Sequence, residues 1–111
     1  MKPIIEDITD ANFDIEVLQS PTPIVVDFWA SWCAPCKALS PVINDIAQTY
    51  LDQIRVVKVD ADANPDVVAK YNVRGLPSVV LFNQGEEVSR VAGAVSKTRI
   101  SNMIDDILEG Q

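Results

Sequence analysis

The run Ile24-Val25-Val26-Asp27-Phe28-Trp29-Ala30 constrains this chain more than any other stretch. It is nearly all apolar, rich in β-branched and aromatic residues, and too short to span a membrane. A run of this kind reads as a strand covered on both faces, the central position of an α/β sheet. Directly after it come Ser31-Trp32-Cys33-Ala34-Pro35-Cys36-Lys37, and then a helical pattern with Leu39, Val42, Ile43, Ile46 and Ala47 at helical spacing. Both cysteines of the chain therefore fall at the joint between a buried strand and a helix.

The rest of the chain supplies partners for that joint. Ile4 to Ile8 is a short β-like segment. Thr9 and Asp10 are good N-cap residues, and a helix with Phe13, Val17 and Leu18 on one side is expected after them. Ser20-Pro21-Thr22-Pro23 ends it, since two prolines cannot continue a helix. The helix after the cysteines is expected from Pro35 to about Tyr50, running on through Pro41 with a kink. Ile54 to Asp60 reads as a second strand, so that strand, helix and strand form a right-handed parallel crossover. Asn64 and Pro65 open a short helix through Val67, Val68 and Tyr71, with Asn64 as its cap. Ser78 to Phe82 and Val88 to Ala92 are strands joined as a hairpin through Asn83-Gln84-Gly85-Glu86. Ser96 caps a last helix whose Ile100, Met103, Ile104, Ile107 and Leu108 make one apolar stripe.

At 111 residues the chain is expected to form one domain, residues 1–111, with a single continuous core. Its formal charge of −7 and its scattered basic residues argue against a nucleic-acid partner, because phosphate binding needs a basic patch. The segment Met1 to Asp7 has no apolar signal region, and no stretch approaches the roughly 20 apolar residues of a membrane span. A cytoplasmic protein is the expectation. In that compartment structural disulfides are kept reduced, so a close cysteine pair points to redox catalysis or metal binding.

Ligand count weighs against metal. A structural zinc site takes four N or S ligands, and two cysteines without any histidine leave only a site shared between two chains. The redox reading has a physical basis in the helix. Cys33 precedes Pro35 at the helix amino end, where free N–H groups and the helix dipole favour an anion and lower a thiol's pKa. Cys36 lies one turn in, and as the less exposed thiol it is expected to be the resolving one. Residues three apart on a helix have Cβ atoms about 5–6 Å apart, while a disulfide wants about 3.5–4.5 Å. The first turn is therefore expected to tighten on oxidation.

The segment Phe28-Trp29-Ala30-Ser31-Trp32-Cys33-Ala34-Pro35-Cys36-Lys37 resembles the active-site signature of the thioredoxins. Asp27 before it, Pro41 after it, Lys58-Val59-Asp60, Arg74-Gly75-Leu76-Pro77 and Val91-Ala92-Gly93-Ala94 follow in the family's order and spacing. The resemblance covers essentially the whole chain. It implies an α/β thioredoxin fold, a central mixed five-stranded sheet flanked by four helices. It implies a general protein-disulfide reductase in which Cys33 attacks a substrate disulfide and Cys36 resolves the mixed disulfide. Trp32, Ala34, Pro35, Leu76, Pro77, Gly93 and Ala94 would lie on the docking surface, with Pro77 in the cis form and the Leu76 backbone paired to the substrate chain. No cofactor is implied beyond the cysteine pair. The implied partners are a thioredoxin reductase, NADPH- or ferredoxin-dependent, and disulfide-containing proteins, met by a monomer.

Asp27 is the sole charge in its apolar run, and an unpaired buried carboxylate is costly. It either reaches solvent at a strand edge or is a carboxyl of raised pKa beneath the dithiol, accepting the proton of Cys36. The run's continuity and the resemblance favour the second. Lys58 matches the family's partner for this carboxylate, although its position alone would suit a solvated lysine. Two departures matter. Ala34 stands where the commonest family form has glycine, which implies a modest change in potential or partner choice. The dipeptide also lacks the histidine that disulfide-oxidising relatives often carry, which favours a reductant over an oxidase or isomerase. A non-catalytic binding module is the remaining alternative, weakened by the presence of both cysteines.

Overall fold

Alternation along the second strand explains the architecture. The computed structural model describes residues 4–110, so residues 1–3 and 111 of the expected domain lie outside it. Five strands are present: β1 (Glu6–Asp7), β2 (Ile24–Trp29), β3 (Arg55–Asp60), β4 (Ser78–Asn83) and β5 (Glu86–Ala92). Their order in the sheet is β1-β3-β2-β4-β5. β1 and β2 run parallel to β3, whereas β2–β4 and β4–β5 are antiparallel. The helices are α1 (Ala34–Thr49), α2 (Pro65–Lys70) and α3 (Lys97–Glu109), preceded by a single π-helical turn over Asp14–Leu18. The expected mixed sheet with helices on both faces is present, and β2 is its middle strand.

Successive side chains of a strand face opposite sides of the sheet. On β2, Val25 joins a core with Leu39, Ile43 and Ile46 of α1 and Ile100 and Ile104 of α3. Ile24, Val26 and Phe28 join the opposite core, with Phe13, Val67 and Phe82. There Phe13, Tyr71 and Phe82 stack at centroid distances of 5.1–5.7 Å. Asp27 shares the parity of Val25, so it faces α1. Lys58 likewise shares the parity of Val56, which belongs to the α1 side. One apolar run thus covers two cores and still aims a single carboxylate at the cysteine-bearing helix.

Two helix starts depart from the sequence expectation. Thr9 and Asp10 do not cap the first helical turn, which begins at Phe13 without a side-chain cap. Asp10 instead reaches across the fold: its carboxylate accepts the Asp66 and Val67 N–H groups at 3.2 and 2.9 Å, at the start of α2. The Asn64 side chain does not cap α2; its carbonyl accepts the Asp10 N–H (2.8 Å), and its amide donates to the Asp60 carbonyl (2.9 Å). A carboxylate suits the two free donors and the positive end of α2 better than the neutral Asn64. Ser96 caps α3 as expected, accepting the Arg99 N–H at 3.3 Å.

Candidate active site

β2 delivers the chain to the cysteines, and α1 carries them away. Cys33 is the N-cap of α1 in extended backbone, and the Cys36 N–H donates to its sulfur at 3.2 Å. The sulfur therefore occupies the place of a capping oxygen, satisfying one of the free N–H groups at the helix start. Cys33 and Cys36 form a disulfide with their Cα atoms 5.3 Å apart. Ala34 and Pro35 fill the first two positions of α1 and are exposed. Ala34 carries no left-handed backbone, which is the reason a glycine is not needed there.

Exposure does not distinguish the two sulfurs, contrary to the sequence expectation: Cys33 is 3% and Cys36 5% exposed. Position does distinguish them. Cys33 caps the helix, whereas Cys36 lines a cleft of about 230 Å³ together with Asp27, Ser40 and Lys58. Asp27 is buried, and its Oδ1 has no hydrogen-bond partner. Burial pushes its carboxyl up from 3.8 to about 6, the nearby Lys58 charge opposing the shift without cancelling it. A carboxyl that titrates near neutrality is suited to take and return a proton.

The rim is built by distant loops. Leu76 packs with Trp29 against Ala30, Cys33 and Cys36, and the Leu76–Pro77 bond is cis as the resemblance implies. The Gly93 N–H donates to the Pro77 carbonyl at 2.9 Å, which brings the end of β5 beside that proline. Gly93 has φ of 91°, a conformation that costs little only for glycine. Ala94 follows it and is exposed. Trp32 is 68% exposed, and its indole N–H donates to Asp62 Oδ2 at 2.9 Å. Asp60 Oδ1 in turn accepts the Asp62 N–H at 3.0 Å.

A pair of sulfurs on a helix amino end, a titrating carboxyl beneath and an apolar rim above make a dithiol–disulfide centre. Known proteins agree. The thioredoxin family model matches residues 4–106. The chain is 49% identical over 98 residues to thioredoxin 1 of Synechococcus elongatus, covering 88% of this chain and 92% of that one. It is 46% identical, with the same coverage, to thioredoxin 1 of a Nostoc species. Thioredoxin C-2 of Corynebacterium nephridii is 41% identical over 95% of this chain and 97% of its own length.

The chain belongs to the thioredoxin family. It is a thiol-disulfide oxidoreductase that reduces protein disulfides. In this chain the redox centre is the Cys33–Cys36 disulfide itself, and among the described residues no group of three His, Cys, Asp or Glu side chains could hold a metal ion. Sequence reasoning missed Ser40 and Asp62. Ser40 lies four residues after Cys36, on the same helix face, so its spacing was a usable signal. Asp62 carried none, because its turn becomes a neighbour of Trp32 only in the folded sheet.

Proposed function

We propose that Cys33 is the nucleophile, Cys36 the resolving thiol and Asp27 the base for Cys36. The Cys33 thiolate attacks one sulfur of a substrate disulfide, and the other sulfur leaves as a thiolate. Asp27 then takes the proton of Cys36. The Cys36 thiolate attacks Cys33, forming the intramolecular disulfide and releasing the second substrate sulfur. Two electrons pass from the dithiol to the substrate. The observation that carries this assignment is that Cys36 and Asp27 line one cleft while Cys33 caps the helix. Lys58, the register partner of Asp27, moderates the carboxyl's proton affinity.

Trp32, Ala34, Pro35, Leu76, Pro77, Gly93 and Ala94 form the docking surface, where the exposed indole and the apolar rim receive a substrate segment. The family implies a thioredoxin reductase as electron donor and disulfide-containing proteins as substrates. Either an NADPH- or a ferredoxin-dependent reductase meets the chemical demand, a dithiol that can reopen the Cys33–Cys36 bond. The chain works as one domain and as a monomer, because both sulfurs and the base come from the same copy. A cytoplasmic setting suits it, since reducing equivalents are supplied there. No helix among the described residues is long and apolar enough to cross a membrane.

Insulin reduction by the wild type and by Cys33→Ser tests the assignment. Loss of activity in Cys33→Ser, with a trapped mixed disulfide in Cys36→Ser, is the expected result. Equal activity in wild type and Cys33→Ser would overturn the assignment of Cys33 as the nucleophile.

A further inference from the structure

Two clefts meet at Asp27. The first leads to Cys36. The second, about 260 Å³, leads toward Ile4, Ile5 and Asn44, and both are walled by Asp27, Ser40 and Lys58. Asn44 lies eight residues beyond Cys36 on α1, about 12 Å along the helix axis, so the second cleft runs away from the docking rim. Ser40 is exposed and contributes the neutral hydroxyl common to both clefts. A hydroxyl can accept one hydrogen bond while donating another, which lets it pass a proton in either direction. The Oδ1 of Asp27 has no partner in the protein and is free to use such a link.

We propose that Ser40 is a positioning residue for the disulfide exchange, linking Asp27 to solvent through the second cleft. The proposal rests on the reading of Asp27 as the base for Cys36. The proton that Asp27 takes from Cys36 has to pass on to solvent while resolution is under way and the substrate chain is still docked. With a substrate chain docked over Trp32 and Leu76, the route beside Cys36 is covered, whereas the route past Ser40 and Asn44 stays open. The proton passes from the Asp27 carboxyl to water held by the Ser40 hydroxyl, and from there to bulk solvent. No bond other than O–H changes in this step, and no electrons move. The charged and titratable groups facing Asp27 are Lys58 from β3 and Lys37 and Cys36 from α1; Val79, its partner on β4, carries no charge, and Asp7 on β1 faces Lys58.

A symmetric chromogenic disulfide tests this in stopped flow. It releases one absorbing thiolate when Cys33 attacks and a second when Cys36 resolves. Ser40→Ala is expected to slow the second phase about tenfold and to spare the first, because positioned proton transfer is worth about 10²–10⁴-fold and only one link is lost. Ser40→Thr, which keeps the hydroxyl, is expected to restore the rate. In an Asp27→Asn background, Ser40→Ala is expected to change nothing further, as two parts of one relay are not additive. Alanine is a better helix former than serine, so folding is not at issue. An unchanged second phase in Ser40→Ala overturns the proposal, as does equal slowing in both backgrounds. If Asp27→Asn itself leaves the second phase intact, the assignment of the base fails first.

Discussion

Asp27 on β2 stands in register with Lys58 on β3, yet the lysine's charge is shared. Its ammonium lies 3.9 Å from Asp7 and 5.9 Å from the centre of the Trp29 ring. The Asp7 pair is largely exposed and contributes little, while the Trp29 face holds the ammonium beside the cleft. Asp27 therefore feels a nearby positive charge without being neutralised by it. Desolvation wins, and the carboxyl remains a weak acid at rest.

That balance makes stability pH-dependent in a defined direction. The Asp27 carboxyl titrates at about 6 in the fold against 3.8 unfolded, so the native state holds the proton more tightly. The stabilisation is fully present below the unfolded value and is lost as pH rises through about 6. At about 1.36 kcal/mol per unit, the ionised carboxylate costs about 3 kcal/mol above that window. Urea unfolding of wild type and Asp27→Asn at pH 4, 6 and 8 reads this out. The variant is expected to gain on the wild type as pH rises, and a pH-independent difference would rule the linkage out.

The same carboxyl sets a kinetic profile. Resolution of the mixed disulfide needs the ionised base, so its rate is expected to climb between pH 5 and 7 with a midpoint near 6. Asp27→Asn is expected to lower the rate by about 10²-fold, the low end for general base catalysis, and to abolish that midpoint. Single-turnover measurements across pH check it. A midpoint that survives in Asp27→Asn belongs to another group.

Much of this was legible in the sequence because local patterns carried it. The Ile24–Ala30 run marked the central strand, and the cysteine spacing marked the strand-to-helix joint. The Gln84–Gly85 turn and the Ser96 cap were equally local. What escaped depended on contacts between segments far apart in the chain. Asp10 looked like a cap for its own helix, but it serves a helix more than 50 residues later. The burial of Cys33 could not be inferred from its place at a helix end, because Leu76 and Trp29 supply the cover. Ser40 was passed over because an exposed serine on a helix is ordinary until two clefts are seen to meet there.

The borrowed cap has a measurable worth. Asp10→Ala removes the acceptor of the Asp66 and Val67 N–H groups, and losing a cap costs about 0.5–2 kcal/mol. A drop near 1 kcal/mol in urea unfolding is expected, with insulin reduction unchanged because α2 does not border the disulfide. If Asn64 can turn to replace the lost carboxylate, Asp10→Ala will match the wild type, and the cap is then not specific to Asp10.

The hairpin turn offers a test with opposite signs at neighbouring residues. Gln84 and Gly85 both have positive φ, 53° and 82°, as a two-residue turn of matching twist between β4 and β5 requires. A Cβ on Gly85 would lie 3.1 Å from the Leu18 carbonyl oxygen, besides being strained by its φ. Gly85→Ala is expected to cost about 1–2 kcal/mol, the penalty of a left-handed residue with a Cβ. Gln84→Asn places a residue that tolerates this conformation and is expected to stabilise by a few tenths of a kcal/mol. The turn lies about 20 Å along β4 from Pro77, so disulfide reduction is expected to be unaffected in both. Thermal unfolding of the two variants decides the matter: a Gly85→Ala protein as stable as the wild type would mean that the turn adopts another geometry in solution.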